Sequence, residues 1–324
     1  MVVFSEEDQK EAARVLAQCF PYSAPGELLE QHIEALKDQF ATGPHREITS
    51  FLHGLKSDFA SFGIARRILA GDAGLLAECL RTSARLGYLL YVVGGEKYSG
   101  GYDCLQVFEL LKMLAVGDMA AVEALTNRFP APAGQGHPDT LLLCNAVYLA
   151  LGKHPNPDAV LRGMESRKAT KFFRSIYQCV AATLKQDSEQ FLQNLLELQK
   201  GNRRQDFHLH MEKIICLEAH AMVRLWTKRN KSDLPEISDL ALPWDRELYQ
   251  HTQNRADAPL PDFGHISSVI DRWLKELPAK INVDELLLEL KENTLKRMLR
   301  RVRVTRRKDK LNRSIRAASD LPGN

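Results

Sequence analysis

Apolar positions recur every three to four residues through most of this chain, the spacing of helices that bury one face. The pattern is clearest between Lys168 and Arg229. Phe172, Ile176, Val180 and Leu184 fall four apart, and Phe191, Leu195 and Leu198 fall four and three apart. Phe207, Met211, Ile214, Ala221 and Leu225 keep one face of a third segment apolar. These spacings predict three consecutive helices with hardly any loop between them. Asp187 is placed to cap the second, and Gln190, three residues on, completes the pattern of a capping box.

The same punctuation occurs earlier. Ser5 caps a first predicted helix through about Cys19, which Pro21 stops, and a second runs from about Gly26 to Phe40. A third helical stretch from His45 to Ala70 contains Gly63, a poor helix former at which a break is expected. Gly71-Asp72 reads as a helix end followed at once by a new cap. A long apolar helix follows to Gly94-Gly95, then another from Asp103 to Val116, closed by Gly117-Asp118. After the break at 130–139, LLLCNAVYLALG is apolar nearly all round and predicts a central helix. Beyond HPNPD, the segment AVLRGMESR leads into the clearest stretch.

The three turns at Asp72, Asp118 and Asp187 share one form: helix, tight Asp-capped turn, helix. They are 46 and 69 residues apart, which is no fixed repeat period. The fold expected is therefore all-α, made of irregular stacked helical hairpins in an α-solenoid-like bundle. A proline-interrupted segment follows Arg229, and Asn282 caps a last predicted helix from Val283 to Val304. The division expected is an all-helical body at 1–290 and a basic C-terminal helix and tail at 291–324.

Composition changes this picture only through charge. The 324 residues are 44% hydrophobic and 26% charged, an ordinary globular balance, with a net charge of +3. Residues 291–324 hold 12 basic and 3 acidic side chains, a local +9, which leaves −6 on residues 1–290. The acidic N-terminus lacks the form of a signal peptide, and the longest apolar run, Thr140 to Gly152, is shorter than a membrane span. The expected location is the cytoplasm. Six singly placed cysteines, in apolar segments and without metal-ligand spacing, are expected to be free buried thiols.

Candidate chemistry is sparse. Glu218 falls on an apolar face, where a carboxylate needs a partner. One reading is a buried Glu bonded to an Arg, a Tyr or a backbone N–H; the other is a functional carboxylate in a helical cleft. His208, His210, Glu212 and His220 suggest a metal, but residues two apart on a helix point to different sides, unlike the pair in HExxH. The sequence has no Gly-x-Ser-x-Gly elbow, Rossmann fingerprint or phosphate-loop pattern, so no catalytic residues, metal or cofactor are expected. The glycine-rich loop with Tyr98, Tyr102 and Asp103 is a candidate partner-contact surface, as are Glu218, Trp244 and Asp245. The tail residues Lys296, Arg297, Arg300, Arg301, Arg303, Arg306 and Arg307 could bind nucleic acid, lipid headgroups or an acidic partner, or form a solvated helix on the acidic body.

CVAATLKQDSEQFLQNLLELQK, followed by MEKIICLEAHAMVRLW and the proline-containing LPEISDLALPW, resembles the all-helical immunity proteins of bacterial polymorphic-toxin and type VI secretion systems, particularly the immunity protein 49 type. The resemblance covers Lys168 to Tyr249, about a quarter of the chain, and the basic tail departs from it. It implies a cytoplasmic protein that binds and neutralises one cognate toxin by direct contact, without a cofactor. The alternative from the residues themselves is a nucleic-acid-associated regulator acting through the basic tail.

Overall fold

The computed structural model describes residues 4–19, 48–94, 106–129, 131, 137–202, 204, 210–232, 234 and 244–253. These form α1 (Glu6–Cys19), α2 (Ile48–Ala70), α3 (Ala73–Gly94), α4 (Gln106–Ala115), α5 (Met119–Arg128) and α6 (Pro138–Ala150). The chain continues with α7 (Pro157–Ser166), α8 (Lys171–Lys185), α9 (Ser188–Asn202), a 3-10 turn (His210–Ile214), α10 (Leu217–Asn230) and α11 (Arg246–Gln253). The fold is all-α, with no strand among the described residues. None of the described helices is long and apolar enough to cross a membrane.

The Asp-capped turns form as the sequence predicts. Gly71, Gly117 and Gln186 end α2, α4 and α8 at φ values of +70°, +69° and +58°. This left-handed backbone lets the next residue start a new helix. Asp72 Oδ1 accepts the N–H of Leu75 at 2.8 Å, Asp118 Oδ1 that of Ala121 at 3.2 Å, and Asp187 Oδ1 that of Gln190 at 3.0 Å. The box at Asp187 is half formed, because the Gln190 amide turns to Gln193 rather than back to the cap. Gln186 is the one of the three without glycine's freedom at positive φ. At the N-terminus, Ser5 Oγ accepts the N–H of Asp8, whose carboxylate accepts the N–H of Ser5 in return.

The helices α2 and α3 pack as one hairpin and α8 and α9 as another, with α6 lying against α8. In α6, Leu143, Cys144, Ala146, Val147 and Tyr148 are fully buried, as its continuous apolar character requires. The later helices do not simply extend the stack. α10 packs between α4 and α8, and α11 returns to α3, closing the C-terminal part of the described chain onto the N-terminal hairpin.

Two expectations fail for tertiary reasons. α2 runs unbroken through Gly63, and the glycine serves close packing instead: a Cβ there would lie 2.6 Å from Cys79 Cβ on α3. The third predicted helix is also divided, into the 3-10 turn at 210–214 and α10, with extended backbone at Cys216. Glu11 on α1 accepts the N–H of Met211, and the Asn202 amide donates to the Lys213 carbonyl at 3.3 Å. These contacts hold the turn against its neighbours, in competition with a continuous helix. The second predicted helix at 26–40, the loop carrying Tyr98, Tyr102 and Asp103, and everything beyond Gln253, including the basic tail, lie outside the described residues.

Candidate functional site

Trp244 and Asp245 are not surface contacts. They are 1% and 0% exposed. Trp244 stacks on His220, with ring centroids 4.1 Å apart and planes 9° from parallel, and tilts against Tyr249 at 5.1 Å. Asp245 caps α11, its Oδ1 accepting the N–H of Leu248 at 3.0 Å. Arg67 of α2 grips the same carboxylate through Nε at 2.7 Å and Nη2 at 2.9 Å, across 178 residues of chain. Its third nitrogen reaches Glu247 at 2.8 Å. This two-pronged geometry is the strong form of the arginine–carboxylate pair. The sequence does hold the cap signature, an Asp directly before RELY, but nothing in it pairs that Asp with Arg67.

His220 completes this cluster. The backbone N–H of Asp245 donates to its Nε2 at 3.3 Å, so Nε2 carries the lone pair and the proton sits on Nδ1, which has no partner among the described residues. Burial drives the His220 pKa down to about 3; Asp245 opposes the shift and Arg224 adds to it. His220 is a neutral core residue stacked between elements.

Glu218 lies in the first turn of α10, not midway along a longer helix, because that helix begins only at Leu217. It is partly buried. Burial raises its pKa, opposed by its own backbone N–H, the Cys216 thiol and the Lys112 ammonium. The Cys216 Sγ lies 3.9 Å from its carboxylate. The backbone partner is one of the three expected from sequence, and the N-terminal position favours negative charge.

Lys112 belongs to a second buried cluster that the sequence does not reveal. Glu109 on α4, 4% exposed, accepts from Lys56 of α2 through Oε1 and from Lys112 through Oε2 at 3.3 Å. Lys112 also donates to Ser83 Oγ at 3.1 Å, and Ser83 donates onward to the Lys56 carbonyl at 2.7 Å. Burial would raise the Glu109 pKa, but the Lys112 and Lys56 ammoniums outweigh it and hold the carboxyl below its ordinary range. Gly87 leaves room for this carboxylate, since a Cβ there would lie 2.3 Å from Glu109 Oε2. A serine–lysine contact can serve nucleophilic chemistry. Here Ser83 is fully buried and its proton is committed to a carbonyl, so the arrangement ties α2, α3 and α4 together.

One open feature among the described residues is a cleft of about 380 Å³ between α7, α8 and α9. Arg167, Arg174 and Lys185 line it together with the carboxamides of Gln178, Gln190 and Asn194 over a partly apolar floor. Arg167 is pinned by Asp139 at 2.6 Å, and Tyr177 donates to the Asp139 carbonyl at 2.8 Å. Asn194 is 5% exposed, and its Nδ2 has no hydrogen-bond partner among the described residues. Regular helical spacing makes the apolar residues of α8 and α9 legible. The meeting of their polar residues with α7 is set by packing.

Of the histidine group read from sequence, His210 begins the 3-10 turn and His220 lies in the core, while His208 falls outside the described residues. Among the described residues no three His, Cys, Asp or Glu side chains form a group that could hold a metal ion. The chain matches no protein-family model, no curated protein and no solved structure.

Proposed function

We propose that this chain is a protein-binding protein, and specifically an immunity protein that neutralises a cognate secreted bacterial toxin by direct contact. The observation that carries this reading is the preorganised helical body. Its buried charges pair with one another, Arg67 with Asp245 and Glu109 with Lys56 between elements, and Glu109 with Lys112 within α4. A surface presented by such a body loses little conformational freedom when a partner docks, so more of the contact energy appears as affinity. The particular assignment follows the resemblance of the helix-and-turn pattern at residues 168–249 to that of all-helical immunity proteins, and the net −6 on residues 1–290 suits a basic toxin surface.

The reading expects a secreted toxin domain encoded by the adjacent gene, and the test is co-expression with that gene's product. Growth should be restored, and the two proteins should purify together. A toxin that stays lethal and does not copurify would end this reading. Changing Arg300, Arg301 and Arg303 to glutamine should leave protection intact; loss of protection would instead put the basic tail at the centre of the function.

A further inference from the structure

The turn before α7 ties that helix to α6 through one histidine. In His154-Pro155-Asn156-Pro157 the backbone N–H of Asn156 donates to His154 Nδ1 at 3.0 Å, so Nδ1 carries the lone pair. The ring proton then sits on Nε2, which donates to Asn145 Oδ1 of α6 at 3.1 Å. Asn156 is also the N-cap of α7, its Oδ1 accepting the N–H of Ala159 at 3.2 Å. Both ring nitrogens are thus committed in the neutral form. A second proton, on Nδ1, would face the Asn156 N–H, donor against donor. The bond to Asn145 survives protonation, so the ring stays on α6 and the cap of α7 is the part that must move.

α7 has little else to hold it. Val160 and Met164 are its only buried side chains, against eight in α8. Gly163 lets it lie close to Leu142 of α6, and Arg167, just past its C-terminal end, is held by Asp139 at 2.6 Å. Few buried apolar contacts mark a segment that opens locally, below the energy of global unfolding. α7 also forms one wall of the cleft, through Leu161, Met164 and Glu165. The elements around the turn bring few charges: Asp158 on α7, and on α6 only Asp139, at its far end. Glu123 of α5 is held by Lys153 and by Lys228 of α10, and Arg229 of α10 lies beside Gly152. Burial, outweighing the Asn156 backbone, lowers the His154 pKa, and none of these charges contributes. The closed form therefore binds the proton less readily than the open form. Closure is fully favoured above the ordinary value, about 6.5, and weakens as pH falls below it.

We infer that α7 is an acid-released flap: protonation of His154 displaces Asn156, uncaps α7 and moves the wall of the cleft that α7 forms. This goes beyond the proposed function and holds whatever the chain binds.

The test is hydrogen exchange of the full-length protein read by mass spectrometry at pH 7.5 and 5.0, each rate normalised to the intrinsic rate at that pH. Peptides of α7 should be less protected than those of α8 at both values. Acid should raise α7 opening by at least about threefold, within the ~30-fold limit set by an open-state ring with a pKa near 6.5. His154→Asn should abolish this step, because an asparagine oxygen accepts the same N–H two residues on and does not titrate. His154→Ser, whose hydroxyl can accept the same bond more weakly, replaces it if the asparagine disturbs the fold. Protection of α7 equal to that of α8, an acid step below about threefold in the unaltered protein, or a step of full size in a folded His154 variant would overturn the inference. The unaltered protein alone decides the first two.

Discussion

Replacing Asp245 tests how the two ends of the described fold are held together. Its carboxylate is fully buried, receives two hydrogen bonds from Arg67 and one from the N–H of Leu248, and so joins α2 to the start of α11. In Asp245→Ala the Arg67 guanidinium, itself 1% exposed, keeps only Glu247 as an acidic partner. Breaking one side of a buried ion pair costs about 3–5 kcal/mol. Loss of the cap adds about 1 kcal/mol. Together these approach the ~5–15 kcal/mol that holds a typical protein folded.

Asp245→Asn separates the two effects, since an amide oxygen can still cap α11 but carries no charge for Arg67. It should fall short of the alanine variant's loss by about 1 kcal/mol. Urea unfolding followed by circular dichroism should show the alanine midpoint lower by more than about 1 M, for a slope near 3 kcal/mol per M. The pair Arg67→Met with Asp245→Leu, which removes both charges, should lie much closer to wild type than either single change. An Asp245→Ala loss below about 1 kcal/mol would refute the assignment of this pair as the clasp, as would a coupling in the cycle below about 0.5 kcal/mol.

Three further outcomes are expected. His220 has a folded pKa of about 3, held down by burial, against about 6.5 when unfolded. The unfolded chain therefore binds the extra proton between these values; this contribution to stability is complete above about pH 6.5 and falls by about 1.4 kcal/mol per pH unit below it. Urea midpoints between pH 6.5 and 4.5 should show this slope flattened in His220→Phe, and an unchanged slope would contradict it. Gln186→Gly should raise stability by about 0.5–1 kcal/mol, because the residue sits at φ +58° in the turn between α8 and α9; a lower thermal midpoint would refute this. Gly63→Ala should cost about 1–3 kcal/mol by forcing a methyl into Cys79 on α3, and a chemical midpoint equal to wild type would show that the two helices separate freely.

What could be read from the residues differs between helices and their meetings. Capped turns at Asp72, Asp118 and Asp187 were legible because a helix end and a cap are local events, decided by a residue that tolerates positive φ and an oxygen three positions before an N–H. Gly63 misled for the same reason. Its local cost in a helix is real, but the close approach of α3 offsets it, and that contact involves a residue sixteen positions away. Glu218 is legible as a carboxylate needing a partner, yet its place in a first turn depends on the 3-10 turn that α1 and α9 hold in position. Trp244 and Asp245 looked like surface residues in a proline-broken segment, and only the return of α11 to α3 buries them.

The sequence alone determined the all-helical character, the hairpin turns and the central apolar helix α6, because periodicity and capping act over three or four residues. Tertiary structure alone decided the Arg67–Asp245 clasp, the Lys56–Glu109–Lys112 cluster and the cleft over α7, α8 and α9. Each brings together side chains from different helices, and their interaction depends on distances set by packing rather than by neighbours in the chain.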